Sequence, residues 1–264
     1  MANEEQMELL KSGVAAWNAR VAEREDRIDL AGADLRGRDL RRSILNAAEL
    51  AHTNLSGSDL SHAELAYASL RRATFCVDGA WNAASNLSWA NLMRADLTEA
   101  DLTGADISHA TMTSADLRNA IMIRTNLCHA DLTGAILRCD LRYANLSGAV
   151  LKNADLTGAD LTDARLNGAD LTAANLSHAK LAGADIADAV LWSTILADVD
   201  LSEVNGLEAV KHLGPSSIGV DTLCKSSRGI PALFLLNAGV PKALVERLLP
   251  IIPQHAPESR RKRL

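Results

Sequence analysis

The sequence predicts an all-β solenoid, and three observations predict it. A five-residue phrase, Ala-(Asp/Asn)-Leu-x-x, recurs almost without a break from Ile28 to Glu203, as in Ala95-Asp96-Leu97-Thr98-Glu99 and Ala154-Asp155-Leu156-Thr157-Gly158. Its centre is almost always one wide apolar residue. Ten repeats centre on Leu30 to Phe75, eleven on Leu87 to Leu137 and thirteen on Leu141 to Leu201; leucine fills 29 of these 34 centres. The residue two before the centre is alanine in 24 of the 34. A period of five fits neither a continuous helix nor a continuous strand, so the chain must bend once per repeat. A wide and a small inward residue per repeat fill a narrow tube to interior density. The polar residues between them face water or turn corners.

These phrases resemble the pentapeptide-repeat family. The resemblance implies a right-handed quadrilateral β-helix with one repeat per side and four per coil; the period alone would allow another polygon. On that plan the 34 repeats make about 8.5 coils, a rod roughly 40 Å long at a strand spacing of about 4.8 Å.

Residues 1–27 are read as an N-terminal cap. Met7, Leu10, Val14, Trp17 and Val21 fall at helical spacing, predicting one amphipathic helix over 3–25 that plugs the first coil. The stretch also resembles leaders ahead of other pentapeptide coils. Residues 28–204 form the coil, whose register slips twice. Phe75 to Leu87 is twelve residues, with a turn signal at Asp78-Gly79 before Trp81, predicting a bulge or short loop. Loops of this kind matter in family members that act on topoisomerases. Leu137 to Leu141 is four residues, predicting a tightened corner. Arg38 occupies a small inward position and is expected to reach solvent or pair with a carboxylate.

Residues 205–252 are read as a helical C-terminal cap or dimerisation segment. Pro231 and Pro241 suit the first turns of two short helices, and Asn237-Ala238-Gly239 ends the first. Leu233, Phe234, Leu236, Leu244, Val245 and Leu248 give apolar faces that cap the last coil or join two subunits; the family commonly does both. The segment from His212 to Pro241 also resembles the linker that precedes Toll/interleukin-1 receptor domains in some bacterial proteins. Residues 253–264 are read as a flexible basic tail ending in Arg260-Arg261-Lys262-Arg263.

No apolar run approaches the roughly 20 residues of a membrane span, and the N-terminus lacks a signal-peptide pattern, so a cytoplasmic location is expected. Cys76, Cys128, Cys139 and Cys224 are spaced for neither a disulfide framework nor a zinc site, and Cys139 is expected inside the tube. No phosphate loop, nucleophile elbow or His-Glu-x-x-His motif occurs. The expectation is a non-catalytic protein with no cofactor, metal or small-molecule substrate. His109 and His129 lie one coil apart at equivalent outward positions and should stack about 5 Å apart.

Charge divides along the chain: −2 over 1–27, −9 over 28–204 and +5 over 205–264, giving the net −6. Following the register from Leu141, one side carries Asp140, Asp160, Asp163, Asp200 and Glu203, interrupted by Lys180; the next adds Asp185 and Asp188. Residues 143–204 hold nine acids against three bases, net −6 in about 15 Å, within a factor of two of the charge density of duplex DNA. Some family members bind type II topoisomerases as DNA-like rods and protect them from poisons. The resemblance thus implies DNA gyrase or topoisomerase IV as a candidate partner, with a homodimer placing two acidic segments side by side.

Three features oppose that reading. Seventeen of the 33 acids directly precede the central residue, where Asp and Asn suit the turn itself; Asp163, Asp188, Asp198 and Glu203 lie outside that position. The centres are leucine where many protective relatives use phenylalanine. Arg36, Arg41, Arg42, Arg71 and Arg72 form a basic patch. The alternative is an interaction scaffold or adaptor in a bacterial signalling or defence system. Direct nucleic-acid binding and membrane association are not expected.

Overall fold

The computed structural model describes residues 2–23, 26–76, 84–227, 229–248 and 250. The expected loop at Asp78-Gly79, the basic tail and its Arg260 to Arg263 lie outside the described residues.

Each repeat up to the one centred on Leu196 contributes one bridging residue, directly before its central side chain, and the bridges pair in parallel with the repeat four further on, the Lys180–Asp200 step excepted. Asp29 pairs with Glu49, Glu49 with Ser69, and the column continues through Asp96, Asp116, Ile136, Asp155 and Asn175 to Ile195. Three more columns start from Asp34, Asp39 and Ile44. The solenoid is therefore four-sided, with 20 residues per regular coil. We number its sides from the one beginning at Leu30.

A regular corner is a tight turn closed by a bond from the small inward residue back to the central carbonyl, as from Ala33 N to Leu30 O at 3.0 Å. The turn residue two after the centre has positive φ, as type II turns demand. At Gly32 (φ 71°) the absence of Cβ makes this conformation free. Leu30, Leu50, Leu97 and Leu156 are buried along one lane of the tube, with Ala48, Ala95 and Ala154 beside them. Where threonine replaces alanine inside, its hydroxyl bonds the backbone: Thr53 donates to Leu50 O at 2.6 Å, and Thr125 to Leu102 O at 2.8 Å, whereas the buried Ser43 hydroxyl has no partner among the described residues. The two threonine hydroxyls are thereby satisfied inside the tube.

Both register slips are absorbed at corners. Ser85 N–H donates to Phe75 O at 3.0 Å, the bond an uninterrupted corner would make, so the chain rejoins its ladder at Asn86 paired with Asp59. At the short repeat, Cys139 N–H reaches back only two residues to Leu137 O at 2.9 Å. Cys139 is buried, its Sγ 3.9 Å from Met122 Sδ, and burial pushes its thiol pKa up. Arg38 is exposed, its small inward slot left to the backbone.

The N-terminal cap is two helices rather than the single one expected, α1 (Glu4–Lys11) and α2 (Val14–Glu23). Gly13, at φ 120°, breaks them. Trp17 is 1% exposed and plugs the tube. At the other end, parallel pairing outlasts the five-residue phrase. Strands β1 (Val190–Leu191) and β2 (Ile195–Leu196) pair with β3 (Lys211–His212) and β4 (Ser217–Ile218). Pairing thus runs past the expected boundary at 204 by most of an irregular coil. Helix α3 (Val220–Lys225), which has no counterpart in the sequence reading, lies along the second side. Helices α4 (Ala232–Asn237) and α5 (Lys242–Leu248) follow the prolines as expected. Among the described residues no helix is long and apolar enough to cross a membrane.

Candidate functional site

The tube is filled, so the candidate site is the outer surface. Its most projecting points are the corner residues at positive φ, 22 of which are not glycine. Corner residues of successive coils align, and long side chains there meet. His109 and His129 stack with ring centroids 5.2 Å apart. Trp89 stacks on His109 at 4.3 Å, and His62 lies 6.1 Å from Trp89 in a near-parallel plane. Four rings therefore form one column on the corner between the third and fourth sides. The column stops at Gly148, where a Cβ would come within 2.5 Å of His129 Nδ1. On the next corner Arg94 lies over the Tyr67 ring at 5.8 Å. Trp89 and Tyr67 are 56% and 53% exposed. Sequence reading finds His109 and His129 but passes over Trp89, which lies a regular 20 residues before His109, and misses His62 because the insertion makes its coil 27 residues long.

The acidic surface has the expected register, since Asp140, Asp160 and Lys180 follow one another up the second side and Asp185 sits on the third. Its charge is largely engaged. Asp140 pairs with Arg142 at 2.7 Å, Asp160 with Lys180 at 3.2 Å and Asp188 with Lys211 at 2.9 Å. Asp198 holds both Lys225 (2.5 Å) and His178 (2.8 Å), which keep its pKa below the ordinary value. With Asp155–Arg138 and Asp170–Lys152, five of the nine acids in 143–204 are ion-paired. Asp163, Asp185 and Asp200 have no ion pair among the described residues; Glu203 is exposed at the neighbouring corner.

The acids before the central residue serve the turn. The Asp160 carboxylate accepts from Thr162 N–H at 3.2 Å, Asp185 from Ala187 N–H at 3.0 Å and Asp200 from Ser202 N–H at 2.8 Å. Asn54, Asn126 and Asn175 do the same. An Asx turn accounts for the residue type at this position. Four of the five arginines of the basic patch are also compensated. Arg36 and Arg41 fork onto Asp34 and Asp39, while Arg71 and Arg72 share Glu99. Hydrogen bonds from the guanidinium groups hold Asp34 and Asp39 at a pKa of about 2.

The C-terminal apolar residues divide between two directions. Phe234 and Val245 are buried, together with Leu235 and Ile230, which sequence reading missed. Leu248 is half-buried. Leu233, Leu236 and Leu244 face outward, as do Leu213 and Val220. Among the described residues no three metal-ligating side chains converge.

The family model described as pentapeptide repeats matches in eight copies, over residues 26–61, 43–76, 83–119, 110–138, 138–172 and 174–205. Among solved structures the chain is similar to HetL, a pentapeptide repeat protein involved in heterocyst differentiation regulation from the cyanobacterium Nostoc sp. strain PCC 7120. Identity is 32% over 84% of this chain and 94% of that one, with a TM-score of 0.43. It is also similar to trypsin-treated QnrB1, a plasmid-mediated fluoroquinolone resistance protein, at 23% identity over 68% of this chain and 89% of that one, TM-score 0.37. The pentapeptide repeat protein Rfr23 from the cyanobacterium Cyanothece 51142 is 43% identical over 37% of this chain and 63% of that one, TM-score 0.21. No curated protein sequence matches.

Proposed function

This chain belongs to the pentapeptide-repeat family, and we propose that it is a non-catalytic rod that engages a protein partner through its outer surface, centred on the ring column. The observation that carries this reading is Trp89, exposed yet clamped between His62 and His109, with Tyr67 and Arg94 on the next corner. Exposed, pre-ordered Trp, Tyr and Arg are the side chains that dominate protein interfaces, because little entropy is lost when they are buried. The scaffold reading, with a cytoplasmic location and a homodimer through the outward leucines of α4 and α5, belongs to this proposal.

A second reading is favoured by a different observation. Asp163, Asp185 and Asp200, without ion pairs among the described residues, lie on adjoining sides beside Glu203 and would give a DNA-like face to gyrase or topoisomerase IV. Five paired carboxylates in the same segment leave that face a lower charge than the composition suggests.

A supercoiling assay with purified gyrase and a gyrase poison separates the two. Rescue or dose-dependent inhibition by the wild type, lost in the charge reversal D163K/D200K and kept in W89A, selects the DNA mimic. No effect at large molar excess removes it. The ring-column reading is then tested by photo-crosslinking from position 109, and an adduct unchanged in W89A sinks it.

A further inference from the structure

On the fourth side the inward lane runs through Leu151, Leu171 and Leu191, all buried. In the terminal coil the residue paired with Leu191 is His212. An imidazole thus occupies a leucine position. Its ring stands edge-on to Phe234 of α4, centroids 4.9 Å apart. Both ring nitrogens are shut off from solvent, and neither has a hydrogen-bond partner among the described residues. A buried nitrogen pair without partners is a standing cost, which grows steeply if the ring becomes charged.

The surroundings offer an imidazolium nothing. Strand β1 and helix α4 carry no ionisable side chain. Glu208, in the 3-10 turn beside α4, is exposed, and Lys211 turns outward to Asp188. Lys242, Glu246 and Arg247 of α5 are also exposed. Burial alone lowers the His212 pKa from its ordinary 6.5.

We propose that the C-terminal cap is an acid-released latch with His212 as its sensor. Neutral, the half-buried imidazole is a spacer between the coil and Phe234; protonated, its two buried nitrogens need water, and undocking of α4 with α5 supplies it. The sign follows from linkage. The docked cap binds fewer protons at His212 than the released one, so docking is undiminished above about 6.5 and weakens as pH falls below it. Release bares Phe234, Leu235 and the open end of the tube.

Hydrogen exchange on the full chain, corrected for intrinsic rates, tests this at about pH 7.5 and about pH 5.5. In the wild type, exchange over 230–248 is expected to rise roughly tenfold or more on acidification while 86–190 stays protected. His212→Leu, which restores the residue of the preceding coils, is expected to keep the cap protected at both pH values. Equal wild-type protection at both, or release of H212L in step with the wild type, overturns the latch. If H212L does not fold, His212→Phe takes its place. An NMR titration of the wild type decides the matter alone: a His212 ring titrating at its ordinary 6.5, with 230–248 still protected, overturns it too.

Discussion

At the N-terminal end the ladder is closed by carboxamides and an indole, and at the C-terminal end by hydroxyls. Gln6 Oε1 accepts from Asp29 N–H at 2.8 Å while Asn3 N–H donates to Asp29 O. On the fourth side, Asn18 Oδ1 accepts from Ile44 N–H and Trp17 Nε1 donates to Ile44 O, both at 2.9 Å. These side chains stand in for a missing strand. At the far end the Thr222 hydroxyl is threaded into the last corner, accepting from Val199 N–H at 3.1 Å and donating to Leu196 O at 2.8 Å. Ser226 Oγ accepts from Leu201 N–H at 3.1 Å. The lesson is one of solvent access: the N-terminal amides work at a wet rim, whereas Thr222 and Ser226 are fully buried. Loss of a hydroxyl should therefore cost more than loss of an amide.

The largest effect expected is at the plug. Trp17→Ala should destabilise the first coils by about 3–5 kcal/mol, seen in denaturation and as exchange confined to residues near 28–60. Uniform exchange along the rod would show that the two ends are not independent units. Thr222→Val, near-isosteric, should cost about 1–3 kcal/mol by stranding the Val199 N–H. Gln6→Ala, whose partners reach water, should cost about 0.5–1.5 kcal/mol; if it equals T222V, solvent access is not what distinguishes the ends. The smallest effect is electrostatic. Asp39, depressed to a pKa of about 2 by Arg41, gives its contribution above the ordinary carboxylate range and loses it as pH falls toward 2. Arg41→Ala should return its NMR titration to that range with little change in stability, because the pair is exposed.

The regular part of this molecule is legible because leucine and alanine report the inward lanes one by one. The register of the acidic sides, the tightened corner at Cys139 and the stacking of His109 on His129 all follow from counting in fives. Counting fails where the count itself changes. Adding 20 to His62 gives position 82, whereas its neighbour in space is Trp89. The irregular last coil has no phrase to count, so Lys211 and Lys225 could not be placed against Asp188 and Asp198. The split of the N-terminal cap turned on Gly13, which a search for apolar spacing passes over.

The left-handed corners bear on what such a rod can display. Every corner asks for a backbone shape that glycine takes freely and other residues take at about 1–2 kcal/mol, less for Asn, Asp and His. Glycine at all of them would give the least strained rod. Twenty-two corners carry another residue, among them five histidines, two tyrosines and a tryptophan. At each, a small conformational loss is set against a side chain held at the outermost point of the rod.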